Sequence, residues 1–297
     1  MLNFILKSAL KPLVRYLPDW LAISLLYRRN TGHFPNLIHP RTFNEKLQWL
    51  KLHDRNPLYT QLADKYAAKN VVAQMIGDKY IIPTLGVWDR FDDIDFNNLP
   101  AKFVLKTTHD SAGVVLIRDK FNFDFEGAKK KINSSLKRNF YYVAREWPYK
   151  NIKPRIIAEK FMEEERPVDG NINKELIDYK FYCFQGEPKF LYVSVANFHG
   201  LEKQDLLTYL NLDWTPTPFT RPDHPQMPFW VEKPKKLDEM ISIAKKLSNN
   251  IPFVRVDLYY INERVYFSEL TFTPGRGVGI FTPIEWEYRI GQWITIV

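Results

Sequence analysis

The sequence predicts an α+β fold, in which helices and largely antiparallel strands occupy separate stretches of the chain. Residues 1–80 show helical patterns, whereas short apolar runs separated by turn residues follow. Two pairs of these runs, 103–107 with 114–117 and 253–260 with 265–272, have the spacing of β-hairpins.

The composition is that of a soluble globular protein with an anionic partner. The 297 residues are 45% hydrophobic and 26% charged, which is enough to bury a core. The formal net charge of +8 suits nucleotide phosphates, anionic lipid or an acidic polysaccharide. No nucleic-acid-binding motif is visible, so we do not expect a nucleic-acid partner. The single cysteine, Cys183, excludes an internal disulfide and fits a reducing, cytoplasmic setting.

Residues 1–17 have apolar side chains at helical spacing, and Lys7, Lys11 and Arg15 share another face. These basic residues interrupt the apolar run, so it is neither a signal peptide nor long enough to cross a bilayer. Two interpretations remain open: a basic amphipathic helix lying on an anionic membrane, or a helix that caps the body of the protein.

Helix-capping residues set the next boundaries. Thr42 and Glu45 form a capping box that opens a helix through Leu52. A second helix is predicted from Tyr59 to Ile76, and a third begins with Thr282 as N-cap and Pro283 at the first helical position. Further predicted helices cover 124–138 and 237–247, further strands cover 155–162, 179–184 and 189–195, and the proline-rich stretch 214–234 is an irregular loop.

The second hairpin carries two acidic residues. Because side chains alternate along a strand, Arg255 and Asp257 share one face, and we expect Glu269 to face Asp257. That pairing requires an odd-length loop or a bulge, which we place within residues 261–264. Two carboxylates on an otherwise apolar sheet indicate a Mg²⁺ site, with a structural ion network around Arg255 as the alternative.

Two weaker motifs precede this hairpin. Lys106 leaves a strand and enters a loop of small and polar residues, His109–Gly113, which could fold over phosphate groups although it lacks the Walker sequence. The strand 155–162 ends in an acidic turn, Glu163–Glu165, which could hold a nucleoside or could simply be solvated.

Taken in order, these motifs resemble the ATP-grasp superfamily over about residues 60–280. The matching features are Asp64-Lys65, Lys106 with its loop, Glu159 to Met162, and Asp257 followed by Glu269 to Gly275. The segments Arg41 to Lys46, Arg145 to Tyr149 and Glu269 to Phe272 are more closely similar to the TupA-like branch. That branch is associated with teichuronopeptide and other bacterial surface polymers, and its members are often labelled glycosyltransferases.

The resemblance implies an ATP-grasp fold in which two α+β subdomains clasp ATP. A helical N-terminal segment (1–60) stands in place of the usual Rossmann-like domain. The first part of the ATP-grasp unit would span residues 61–100, its lid subdomain 101–165, and its metal-binding subdomain 166–297.

The resemblance also implies roles for individual residues. ATP phosphates would be held by Lys65, Lys106, Ser111 and Gly113, and the nucleoside by Glu159, Lys160, Met162 and Glu164 or Glu165. Mg²⁺ would be bound by Asp257, Glu269 and Thr271, where Thr271 replaces the asparagine of the family. The groups acting on the reaction would be Arg255, Lys180 and, in proton transfer, His109.

The implied function is that of an ATP-dependent carboxylate–amine ligase that forms an amide through an acyl phosphate. Its implied substrates are a uronic acid or lipid-linked polysaccharide and an amine or amino acid, at the cytoplasmic face of a membrane. One alternative is a sugar-nucleotide glycosyltransferase that uses Asp93-Ile94-Asp95 as its metal motif. Another is a non-catalytic protein that binds polysaccharide or membrane.

Overall fold

The computed structural model describes residues 15–164, 166–168, 171–173, 176–195, 206–228 and 230–296. Its first sheet is antiparallel, with four strands in the spatial order β1-β4-β2-β3. They are β1 (Thr84–Trp88), β2 (Phe103–Thr107), β3 (Val114–Ile117) and β4 (Ile156–Lys160). The predicted hairpin of β2 with β3 is confirmed. A two-stranded ribbon follows, formed by β5 (Arg166–Val168) and β6 (Asn171–Asn173).

The second sheet has five antiparallel strands in the order β11-β10-β7-β8-β9. They are β7 (Ile177–Phe184), β8 (Glu187–Val195), β9 (Leu206–Asn211), β10 (Phe253–Ile261) and β11 (Arg264–Thr271). Asp257 pairs directly with Glu269, so the expected facing of these two carboxylates is confirmed.

The irregularity in this hairpin lies elsewhere than predicted. Asn262 and Glu263, both with positive φ (48° and 59°), form a two-residue turn that needs no extra residue. The register shifts instead where Asp257 pairs with Glu269 and Leu258 with Phe267, which leaves Ser268 as the additional residue of a bulge.

In the part of the chain that the structure describes, four α-helices precede the first sheet: α1 (Asp19–Thr31), α2 (Phe43–His53), α3 (Pro57–Ala63) and α4 (Ala67–Ile76). The capping box of α2 is confirmed, because Thr42 and Glu45 exchange side-chain to backbone hydrogen bonds. The single helix predicted from Tyr59 to Ile76 is wrong. The Asp64 carboxylate accepts hydrogen bonds from the backbone of Tyr66 and Ala67, and this turn separates α3 from α4.

The later helices are α5 (Phe125–Leu136), α6 (Tyr141–Ala144), α7 (Leu237–Leu247) and α8 (Glu285–Gln292). The last helix begins at Glu285, two residues later than the start at Pro283 that the cap at Thr282 predicted. The backbone N–H and C=O of Thr282 both pair with Thr220 at 2.8 and 3.0 Å, so Thr282 cannot start a helix.

Alternate residues of β7 enter two different cores. Phe181 and Cys183 lie in the larger apolar cluster, which includes α4 and α7, whereas Tyr182 and Phe184 lie in an aromatic cluster beneath α2 and α8. The aromatic cluster lies on the same face of the second sheet as Arg255 and Asp257, next to the polar part of that face. Cys183 is fully buried, and burial raises the pKa of its thiol to about 12.

Residues 1–14, which hold most of the expected N-terminal helix, lie outside the described residues. Arg15 to Leu17 form a turn, so that helix does not continue through Leu17. None of the helices in the described part of the chain combines the length and apolar character that crossing a bilayer requires.

Candidate nucleotide-binding site

The facing sides of the two sheets enclose a cleft of about 320 Å³. Its apolar lining comes mainly from the first sheet and the residues around it: Ile82, Val104, Val114, Leu116 and Met162. Its charged lining comes from both sides: Lys65, Lys106, Glu159, Asp178, Lys180 and Glu269. An apolar pocket with a few convergent charges is the usual form of a small-molecule site.

An ion pair with Glu159 holds Lys106 in place in the lining of this cleft. Its ammonium lies 2.7 Å from the carboxylate of Glu159, which is nearly buried on the neighbouring strand and also pairs with Lys69. Burial disfavours the charge of Glu159, but Lys106 and Lys69 outweigh it and lower the pKa of Glu159 to about 2. Glu159, which was expected to hold the nucleoside, therefore positions Lys106 instead.

The loop after β2 is folded around a carboxylate of its own. Asp110, fully buried, accepts hydrogen bonds from Thr107 (2.5 Å), Ala112 (3.3 Å) and Gly113 (3.1 Å). A Cβ at Gly113 would lie 1.9 Å from the Thr107 hydroxyl, so close packing requires glycine there. Gly113 is thus structural and does not line the cleft, whereas Ser111 does.

Lys65, in the turn between α3 and α4, contacts this loop from the cleft side, whereas His109, within the loop, points away from the cleft. The ammonium of Lys65 donates to the backbone carbonyl of Asp110 and lines the cleft. His109 is 2% exposed, and its Nε2 lies 3.1 and 3.0 Å from the carbonyls of Ser135 and Arg138 behind the loop. The predicted role of His109 in proton transfer is therefore wrong, because its ring is packed away from the cleft.

A buried ion network occupies the centre of the second sheet. Arg255 binds both oxygens of Asp257, at 2.7 and 2.6 Å, and Lys180 lies 3.2 Å from Asp257 and from Asp178. Burial opposes the charges of Lys180 and Arg255, but the neighbouring carboxylates keep both pKa values well above their usual range. Burial raises the pKa of Asp257, and these two cations act against that rise.

Glu269 lines the cleft, and among the residues that the structure describes it has no cation within 3.4 Å. Its nearest cation is Arg255, at 3.5 Å. Burial disfavours its charge, but Lys65, Lys180 and Arg255 outweigh that and lower the pKa of Glu269 to about 2. Glu269 is consequently an ionised carboxylate surrounded by cations.

The end of β4 forms the other rim. Lys160, Phe161 and Met162 line the cleft just beyond the strand. In the acidic turn, Glu163 pairs with Lys102 at 2.8 Å, and Glu164 accepts a hydrogen bond from the backbone of Asn262. Glu165, one of the two candidates for the ribose, lies outside the described residues.

Helix α2 holds the loop that follows β11. Asn44, Gln48 and Lys51, spaced about one turn apart, donate hydrogen bonds to the carbonyls of Gly279 (2.8 Å), Gly277 (2.6 Å) and Arg276 (2.8 Å). Helix α2 thus joins the N-terminal helices to the loop that follows the acidic hairpin.

The family comparison agrees with this arrangement. The model of the family described as TupA-like ATPgrasp matches residues 45–295. The chain belongs to the TupA-like ATP-grasp family. No curated protein matches it at a significant level.

Several solved structures of ligases are similar to this chain at low sequence identity. An L-amino acid ligase from Bacillus licheniformis has 14% identity and a TM-score of 0.49, over 89% of this chain and 57% of that one. A D-alanine–D-alanine ligase from Bacillus anthracis, solved with ATP, has 13% identity and a TM-score of 0.37, over 71% and 53%. The ligase PsnB, solved with a minimal precursor, Mg and ADP, has 8% identity and a TM-score of 0.39, over 78% and 60%. The TupA-like chain thus spans less than two-thirds of each of these proteins.

The donor set of the TupA-like chain fits Mg²⁺ through two carboxylates. Asp257 and Glu269 are directly paired on one sheet face, and Mg²⁺ is commonly held by one or two carboxylates together with phosphate oxygens. The described residues contain no group of three or more His, Cys, Asp or Glu side chains that could bind a metal by themselves. Thr271 does not fit as the third ligand, because its hydroxyl already bonds Arg255 at 3.0 Å and Glu269 at 3.4 Å.

Four cleft residues with polar side chains were missed in the sequence: Arg118, Asp178, Tyr259 and Ser268. Asp178 and Tyr259 follow from alternation, since each lies two residues from a residue already singled out, Lys180 or Asp257. Ser268 reaches the cleft beside Glu269 through the bulge, for which the sequence has no local signal.

Asp93 and Asp95, the alternative metal motif, do not line the cleft. Asp93 pairs with Arg90, and Asp95 accepts a hydrogen bond from the backbone of Asn97 in a surface turn.

Proposed function

We propose that this chain is an ATP-dependent carboxylate–amine ligase. The observation that carries the proposal is the meeting, in one cleft, of a clamped lysine (Lys106) with a carboxylate–cation cluster. That cluster contains the facing pair Asp257 and Glu269, with Lys180 and Arg255 beside them. Phosphoryl transfer needs mainly positioning and charge stabilisation, and this set provides both.

In this proposal the cleft holds ATP along its length. The adenine lies against the apolar wall of Val104, Leu116 and Met162, with the backbone of residues 160–162 at its edge. Lys65, Lys106 and Ser111 face the phosphates, since these three line the cleft at the end of β2. Glu159 acts by holding Lys106 in place.

The γ-phosphate lies at the second sheet. Lys180 and Arg255 stabilise the charge on the moving phosphoryl group, and Asp257 and Glu269 would hold Mg²⁺. When bound, Mg²⁺ supplies further neutralisation of the phosphate oxygens. The apolar residues on either side of Asp257 in β10 are buried in the core, and their packing fixes the position of the charged side chains on the other face.

The reaction has two steps, a phosphoryl transfer followed by an acyl transfer. A substrate carboxylate oxygen attacks the γ-phosphorus, the bond to the β–γ bridging oxygen breaks, and ADP leaves. The nitrogen of an amine then attacks the acyl carbon, and phosphate leaves as the amine loses a proton. The products are an amide, ADP, phosphate and a proton.

The substrate class follows from charge and from the family association. The net charge of +8 favours an anionic acceptor, and we infer a uronic acid of a bacterial surface polysaccharide, amidated by an amino acid. The proposed location is cytoplasmic, with peripheral membrane attachment through residues 1–17.

The test is product analysis by mass spectrometry with ATP, Mg²⁺, uronic acid acceptors and a set of amino acids. We expect an amide whose formation matches ADP release, and no product from Lys106→Ala. Transfer of a sugar from a sugar nucleotide, with no use of ATP, would support the glycosyltransferase alternative and overturn the proposal.

A further inference from the structure

An exposed surface around helix α1 combines large apolar side chains with arginines. It consists of Tyr16, Trp20, Leu25, Arg28, Arg29 and Phe34, which we call the α1 surface. Tyr16 is 82% exposed, Trp20 57%, Phe34 51% and Leu25 41%. Scattered exposed apolar residues are normal, but four of them between residues 16 and 34, on and beside one helix, require an explanation.

The helix itself separates this surface from the core. Ala22, Ile23 and Tyr27 are buried on its inner side, so its packing against the body is already satisfied. Leu25 lies on the side of the helix away from those three residues, so its exposure does not result from an unfinished core. Trp20, three residues before Ile23, lies on the side of Ile23 at the start of the helix and is nevertheless 57% exposed.

The cations of this surface are arranged around its rings. The guanidinium of Arg28 lies 4.7 Å from the centre of the Phe34 ring, so one face of that ring already carries a positive charge. Arg29 is exposed beside it. Aromatic rings with arginines at their polar edge are typical of surfaces that rest at a lipid–water interface.

The charge is of one sign. Residues 15–41 contain four arginines and a single acidic residue, Asp19. Asp19 is turned toward the body, where it pairs with Arg55 at 3.2 Å and accepts a hydrogen bond from Tyr141. The adjoining residues 1–14 add Lys7 and Lys11 and no acid, so the positive charge continues along the chain.

We infer that the α1 surface docks the folded protein on an anionic lipid membrane. Apolar side chains enter the interfacial region while the arginines attract anionic headgroups, and both contributions are needed for reversible attachment. A partner protein would have to match a surface that presents only positive charge. The inference does not require the proposed ligase activity, since binding is measured without nucleotide.

The experiment is vesicle co-sedimentation of the full-length protein, with phosphatidylcholine alone and with added phosphatidylglycerol. We expect binding only to the anionic vesicles, with an affinity that falls as salt increases. Arg28→Gln/Arg29→Gln should lower the partition coefficient roughly 20-fold, since each basic residue contributes about fivefold. Trp20→Ser should lower it several-fold.

Matched controls come from the same chain. Trp230 is 55% exposed, so Trp230→Ser removes an equally accessible tryptophan elsewhere, and Lys130→Gln/Lys131→Gln removes another exposed basic pair. Both controls should bind like the wild type, and thermal unfolding should confirm that all variants are folded.

Three outcomes would overturn the inference. The first is an absence of binding to anionic vesicles. The second is loss of binding in Lys7→Gln/Lys11→Gln with full binding in the Arg28/Arg29 and Trp20 variants, which would assign the contact to residues 1–14 alone. The third is a wild-type dimer in solution that Trp20→Ser dissociates, which would make the surface an interface between copies.

Discussion

Arg255 donates hydrogen bonds to both carboxylate oxygens of Asp257, two residues further along the same strand, at 2.7 and 2.6 Å. Lys180 adds a third contact at 3.2 Å, and Asp257 has no solvent exposure. A divalent cation that reaches Asp257 must therefore compete with two cations already bound. Phosphate groups that attract Arg255 and Lys180 would relieve this competition.

The first prediction concerns that competition. Arg255→Met should increase the affinity for Mn²⁺ in the absence of nucleotide, by about 5- to 150-fold if the coupling has the usual size of 1–3 kcal/mol. Titration calorimetry or electron paramagnetic resonance would measure it. Arg264→Met, on the exposed end of the next strand, is the control. An unchanged Mn²⁺ affinity would show that Arg255 does not restrict access to Asp257.

Glu159 leads to a prediction about stability. Glu159→Gln leaves Lys69 and Lys106 without their shared carboxylate, and removal of one partner from a buried ion pair costs about 3–5 kcal/mol. Glu163→Gln is the matched control, because the pair of Glu163 with Lys102 is exposed and worth about 0–1 kcal/mol. Urea denaturation compares the two variants. Equal losses of unfolding free energy would contradict the structural role assigned to Glu159.

Lys106 should matter for the nucleotide more than for folding. Loss of a charge-assisted contact costs about 1.5–3 kcal/mol, so Lys106→Ala should weaken ATP binding roughly 10- to 150-fold and largely abolish turnover. Lys102→Ala, on the outer rim, should leave both unchanged. Circular dichroism would confirm the fold. Normal ATP affinity in Lys106→Ala would make this lysine a bystander.

Glu287 predicts a pH dependence of stability. Burial raises its pKa from the ordinary 4.5 to about 7, even though the backbone N–H groups of Phe281 and Asn44 lower it. The native carboxyl thus holds its proton more tightly than the unfolded chain does. Its contribution is complete below pH 4.5 and is lost as the pH rises through 7.

We therefore expect the unfolding free energy to fall between pH 5 and 7.5 by an amount on the order of 2 kcal/mol. Glu287→Gln cannot titrate and should remove most of this slope. Urea denaturation at several pH values, on wild type and variant, measures the difference. Parallel pH profiles for the two proteins would contradict the assignment.

Features with a local signal were predictable from the sequence. The capping box of Thr42 and Glu45 and both hairpins depend on neighbouring residues, and alternation placed Arg255 and Asp257 on one face. The facing of Asp257 and Glu269 also required an irregularity, which was expected in the turn and lies in the strand instead. The α+β class and the family followed from the order of such motifs. The Ser268 bulge had no local mark, because its extra residue is set by how two long strands align.

The direction of side chains in loops and the choice of distant partners were not predictable. His109 turns inward because the carbonyls of Ser135 and Arg138, on and just after α5, receive its ring. Glu159 is bound by Lys69, ninety residues away in the chain, and only the fold brings the two together. The same applies to Asp110, whose carboxylate occupies the backbone N–H groups that were expected to face phosphate.

The most direct test of the central claim is nucleotide binding by titration calorimetry, with ATP and a UDP-sugar compared on the full-length protein with Mg²⁺. The account predicts that ATP binds to the wild type, that binding is strongly weakened in Lys106→Ala, and that the UDP-sugar gives no heat of binding. Tight binding of the UDP-sugar with no binding of ATP would contradict it.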